Sequence, residues 1–138
     1  MEPHKFTKIK ITNAEDFNVL SLILQDSIYS LSMGSFHADK KNCLRMIFNR
    51  FCWENSSLYT RVHTAIYIHD VKNIYVNDSI NDDNKHQMLN LLTSYVTGEN
   101  EIIFVFSENK KIKIEVSELL VYVKDLHEPW PINVMPLH

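Results

Sequence analysis

The sequence predicts an α+β domain. It should be a curled, mostly antiparallel sheet, with barrel-like closure left open, one firm N-terminal helix and a second short helix. Three observations predict it. Residues 14–26 carry apolar side chains at helical spacing, whereas most of the remaining chain alternates apolar and polar residues with period two. Leu44 to Glu54 (LRMIFNRFCWE) packs Met46, Ile47, Phe48, Phe51 and Trp53 around two arginines and an asparagine, without glycine or proline, as buried or half-buried strands do. After the helix, strand patterns follow one another with a single short helical interruption, which leaves no crossovers for a parallel sheet.

The elements follow in order. Residues 6–12 set Phe6, Ile9 and Ile11 against Lys8 and Lys10 and form a short first strand. Asn13 suits a helix N-cap, and Glu15 and Asp16 fall in the first turn, where carboxylates complement the helix dipole. Phe17, Leu20, Leu24 and Ile28, widened by Val19 and Ile23, predict a helix over 14–26. Residues 28–37, 43–54 and 59–71 read as strands, separated by the polar turn 38–42 and the loop 55–57. The polar run 77–85 is a loop. Met88, Leu89, Leu91 and Leu92 suggest the second helix, handing over to an extended 93–96. Residues 101–107 and 111–117 alternate cleanly around Glu108-Asn109-Lys110 and make the surest hairpin. Residues 118–126 fit either period, and Val121-Tyr122-Val123 tilts them to a strand with a bulge. Pro129, Pro131 and Pro136 make 128–138 an extended C-terminal tail.

A length of 138 residues fits one domain, 1–138, able to bury its own core. The net charge of −3 gives no overall basic surface and argues against nucleic acid as a partner, although it leaves room for a local basic stripe. The chain has 2 glycines where average usage gives roughly ten, and neither Gly34 nor Gly98 stands in a phosphate-binding frame. No cofactor is predicted. Cys43 and Cys52 form no disulfide framework. No apolar run approaches the length of a membrane span, and the polar opening MEPHKFTK lacks the core of a secretory leader. The expectation is a cytoplasmic protein without a membrane partner.

Catalytic motifs are scarce. The 7 histidines include no HxH, HxxH or HxxxH pair, and there is no CxxC, so no metal site is predicted. Cys52 lies beside Arg50, which favours a thiolate, but shares a strand face with Met46 and Phe48 and reads as core. More informative is a strand face that carries Arg45, Ile47, Asn49, Phe51 and Trp53 beside Arg61, His63, Tyr67 and His69 of the next strand. Trp, Tyr and Arg are the residues of binding hot spots. Two readings of this face stay open: a surface for a partner, or a face covered by the helix or the C-terminal segment, as is commoner in small α+β domains.

LQDSI at 24–28, NRFCWE at 49–54 and EVSELLVYVKDLHEPW at 115–130 together resemble a small alphaproteobacterial family catalogued as domain of unknown function 2948. The resemblance covers essentially the whole chain and implies a bacterial source. Cys52 stands where the family pattern has arginine, and His127-Glu128 replaces a glycine-containing pair. The family implies no activity, but it points to Gln25, Asp26, Asn49, Arg50, Trp53, Glu54 and Trp130. With Arg45 and Tyr67 from the aromatic face, these are the candidate binding residues. The expected role is non-catalytic: a protein-binding or assembly module that uses the sheet face to hold another protein or a second copy of itself. The alternative is a small enzyme whose pocket, assembled from Gln25, Asp26, Asn49, Arg50 and Glu54 with His63 nearby, acts on a small anionic substrate.

Overall fold

Asn13 is extended, and its Oδ1 accepts a hydrogen bond from the Asp16 backbone N–H at 2.8 Å, closing the first turn of the helix Ala14–Ile23 (α1). The chain is seen in a computed structural model that describes residues 8–54, 59–77, 86–98 and 100–132. Phe17, Leu20 and Leu24 bury one side of α1, while Val19, expected to widen that stripe, is 52% exposed. The helix stops short of Asp26. The Ser27 N–H turns back to the Leu24 carbonyl, Asp26 adopts φ 62°, and its own N–H reaches the Leu91 carbonyl instead of continuing the helix. An aspartate tolerates that backbone because its short side chain can bond locally.

Strand β1 (Lys8–Ile11) precedes α1. After it come β2 (Ile28–Tyr29), β3 (Gly34–His37), β4 (Cys43–Phe51), β5 (Thr60–Ile68), β6 (Val71–Val76), β7 (Leu89–Thr97), β8 (Glu101–Phe106), β9 (Lys110–Val116), β10 (Val121–Asp125) and β11 (Trp130–Pro131). They form an antiparallel sheet in the order β1-β10-β5-β4-β2-β7-β8-β9-β6, with β3 added to β4 and β11 to β5. The end strands β1 and β6 do not pair with each other, so the sheet is open and the barrel-like alternative is not formed.

Three expectations are corrected. The second helix is absent at 88–92, where β7 begins. Leu89 and Leu91 are buried while Met88 and Leu92 are exposed, a period of two that the cluster of leucines disguised as a helical one. A register shift between Leu91 and Thr93 then changes which face carries the buried residues, breaking the alternation in the sequence. The remaining helical element is a 3-10 turn, Leu31–Met33, which splits the expected strand 28–37 into β2 and β3. The expected strand 59–71 also divides. Asp70 at φ 56° turns the chain between β5 and β6, which joins β9 across the sheet.

Within 118–126 only Val121–Asp125 is strand, and this β10 holds an unbroken register on β5 from Val121↔Ile68 to Asp125↔Thr64, without the expected bulge. The hairpin β8–β9 turns at Glu108 and Asn109, whose φ values of 62° and 59° are those of the mirror-image turn that matches strand twist. Phe6, the loop 55–57, most of 77–85 and the tail from 133 onward lie outside the described residues.

The core sits between α1 and the inner face of the sheet. Tyr29 stacks on Phe48 at 4.8 Å and on Phe106 at 5.7 Å, and Phe48 meets Phe104 at 5.8 Å, so these rings join the two halves of the sheet. The Tyr29 hydroxyl fills the space over Gly34, where a Cβ would lie 2.7 Å from it.

Candidate functional site

On β4 the even positions Leu44, Met46 and Phe48 face the core, and Arg50 continues the series. A guanidinium on that face loses water and requires partners. Arg50 is 1% exposed. Its Nε donates to Thr64 Oγ1 at 2.9 Å and to Asp125 Oδ1 at 3.3 Å, and Nη2 donates to Asp125 Oδ2 at 2.9 Å. Nη1 and Nη2 also grip Glu54 Oε1 and Oε2 at 3.0 and 2.9 Å. Thr64 Oγ1 donates to Asp125 Oδ1 at 2.7 Å. Burial alone would lower Arg50, but its hydrogen bonds to Glu54 and Asp125 outweigh it and raise the guanidinium above its ordinary value. Burial likewise pulls Glu54 upward, and the hydrogen bonds from Arg50 leave it below the usual carboxylate range. The result is a closed charge clamp joining β4, β5 and β10.

The outward positions at the same end form a second cluster. Arg61 Nη1 donates to the Asn49 carbonyl and to Asn49 Oδ1 at 3.1 and 3.2 Å. Burial lowers the Arg61 guanidinium, and the negative charge of Asp26 acts the other way. Trp53 Nε1 donates to the Gln25 carbonyl at 3.2 Å, and its ring meets Phe51 edge-on at 4.5 Å. Trp130 pairs with Arg61 across β11 and β5, and its ring lies 5.1 Å from His63 and 5.5 Å from His127.

The two histidines are linked. His127 Nδ1 lies 2.6 Å from the Glu128 carbonyl, which can only accept, so Nδ1 carries a proton. In neutral His127 the Nε2 is then an acceptor, and it receives a hydrogen bond from His63 Nδ1 at 3.0 Å. Neutral His63 therefore keeps an unprotonated Nε2. Burial lowers the His63 pKa first, and the charge of His127 lowers it further. The unfolded imidazole, near 6.5, takes up its proton before the folded one. Stability from this group is therefore present above about pH 6.5 and lost as pH falls from there toward the folded value. The thermal midpoint is expected to hold from pH 8 to about 7 and to drop as pH falls from about 6.5 to 5. In His127→Gln, which keeps an acceptor for His63 without a charge, the drop should be smaller; an unchanged slope would assign it elsewhere.

Residues 8–138 match the family described as Protein of unknown function (DUF2948). The chain belongs to this family. No curated protein and no solved structure matches it.

Within this family member, the three stretches that carry the resemblance meet in space. Gln25 and Asp26 from the first, Asn49, Arg50, Trp53 and Glu54 from the second, and Trp130 from the third gather at one end of β4 and β5. Arg45 and Tyr67 do not join them: they stand opposite each other at the far end of the same strands. Asp125, Thr64, Arg61 and His127 complete the cluster and were not among the predicted site residues. Asp125 and His127 lie in the stretch DLHEPW, yet their partners Arg50 and His63 are distant in sequence, so no local spacing could reveal the pairs. Cys52 is buried, and burial pushes its thiol up, away from the reactive thiolate. Among the described residues no three His, Cys, Asp or Glu groups converge as a metal set, and no helix is long and apolar enough to cross a membrane.

Proposed function

We propose that the protein is a small non-catalytic binding module of the bacterial cytoplasm. Its motif end, the outward cluster around Trp53, Arg61, His63, His127 and Trp130, holds another protein. One observation carries the reading. Where the family stretches converge, Arg50, Glu54 and Asp125 are spent on one another, whereas the tryptophan, arginine and histidine side chains lie on the outward side. A clamp that rigidifies three strands beneath an aromatic-arginine patch is how a binding surface is pre-organised. Arg50 belongs to the support and not to the contact, so the informative substitutions are Trp130→Ala and Arg61→Ala. Affinity capture from the source cell, followed by reconstitution with the purified partner, tests the reading. Each substitution is expected to weaken the reconstituted complex at least tenfold with the fold retained; unchanged affinity in both would sink it.

A second reading rests on the histidine pair. A His63 ring oriented by His127, neutral at physiological pH and with Nε2 unprotonated, has the form of a general base, and Arg61 and Asn49 beside it could orient a small anion. A small-anion screen by NMR, read at the His63 ring, discriminates: ligand shifts at His63 favour the enzyme, and their absence favours the binding module.

A further inference from the structure

A separate arrangement stands at the opposite end of the outward face. Four strands in register place Lys10 opposite Tyr122, Tyr122 opposite Tyr67, and Tyr67 opposite Arg45. With strands about 4.8 Å apart, the two cations lie roughly 14 Å apart with two tyrosine rings between them. Two residues along, Lys8 faces Lys124, which faces Ala65. A depression of about 450 Å³ is lined by Lys8, Lys10, Lys124, Tyr67 and Tyr122, together with Ile9 and Val123. Tyr122 is 39% exposed and is braced edge-on by His69 at 5.5 Å.

Three features are not explained by folding. Like charges directly opposite on adjacent strands destabilise a sheet, yet Lys8 and Lys124 are paired so. The outward positions of β1, β10, β5 and β4 hold no Asp or Glu to relieve them, although the whole chain is acidic. And two buried donors or acceptors at this end, Arg45 Nε and His69 Nδ1, have no hydrogen-bond partner among the described residues. A bound polyanion would relieve the first two.

We infer that this end of the sheet binds single-stranded nucleic acid, with bases stacked on Tyr67 and Tyr122 and the backbone phosphates held by Lys8, Lys10, Lys124 and Arg45. The aromatic platform, with Tyr122 exposed and Tyr67 half-buried, favours a single strand over an acidic peptide, because a carboxylate chain gains nothing from the rings, whereas any base has a face to stack. The net charge that argued against nucleic acid is an average over the chain, and the outward positions of these four strands carry none of its carboxylates. The site is independent of the motif end and stands or falls without it.

Fluorescence anisotropy with labelled oligothymidylate and oligouridylate tests it on the full chain. Four phosphate contacts predict an affinity that falls about 50-fold between roughly 50 and 200 mM salt. Tyr122→Ala should weaken binding about 5- to 100-fold. Lys8→Gln/Lys124→Gln removes the repulsion between the strands, so it should weaken binding at least tenfold while leaving the thermal midpoint equal or higher. Lys111→Glu, on the exposed side of β9, should bind as wild type does. No binding at low salt, affinity unchanged in Lys8→Gln/Lys124→Gln, a preference for duplex, or tighter binding of polyglutamate than of either oligonucleotide would overturn the inference.

Discussion

Asp125→Ala is expected to destabilise the protein by about 3–5 kcal/mol, the cost of breaking a buried ion pair. Asp125 is 1% exposed and accepts from Arg50 Nε, Arg50 Nη2 and Thr64 Oγ1. Truncating it removes acceptors from a guanidinium that water cannot reach. Glu54 would still neutralise that charge in part, but its carboxylate grips the other edge of the fork. Glu54→Gln should cost about 1 kcal/mol or less, since half of that side chain is open to solvent. The contrast is readable in urea denaturation as a large fall in the midpoint for one variant and a small fall for the other. Arg50→Met/Asp125→Ala removes the charge as well as its partner, and should recover much of the loss. A double variant as unstable as the sum of its singles would mean that the clamp stabilises by shape and not by charge.

That clamp also marks the limit of what the sequence discloses. Period and caps were sufficient for α1, for the β8–β9 hairpin and for the pairing of β4 with β5, because each is decided within a few residues. They failed where a long-range contact decided the matter. Asp26 leaves the helix because Leu91 offers its carbonyl, and Leu89 and Leu91 become strand because β2 and β8 lie on either side. The site behaved the same way. Asn49, Arg50 and Glu54 are visible as one dense stretch, but Asp125 lies 75 positions from Arg50 and His127 lies 64 from His63, so neither pair leaves a local trace. The basic face was hidden by averaging: Lys8, Lys10 and Lys124 are spread over the two ends of the chain and are brought together by the pairing of β1 with β10.

Phe48→Ala is expected to cost about 3–5 kcal/mol and Ile47→Ala about 1 kcal/mol, although the two residues are neighbours in the densest apolar stretch of the chain. The sequence left open which side of this strand is core. Phe48 is fully buried and touches Tyr29 and Phe104, so its ring bridges β2 and β8 from β4. Removing it opens a cavity at the junction of the two sheet halves, whose stacked neighbours are too constrained to collapse into it. Ile47 points to the other side, opposite Ala65, and is half-buried with solvent beside it. Equilibrium unfolding of the two variants measures the difference. Equal losses would mean that the outward face is covered as completely as the core, and both binding surfaces proposed for that face would lose their footing.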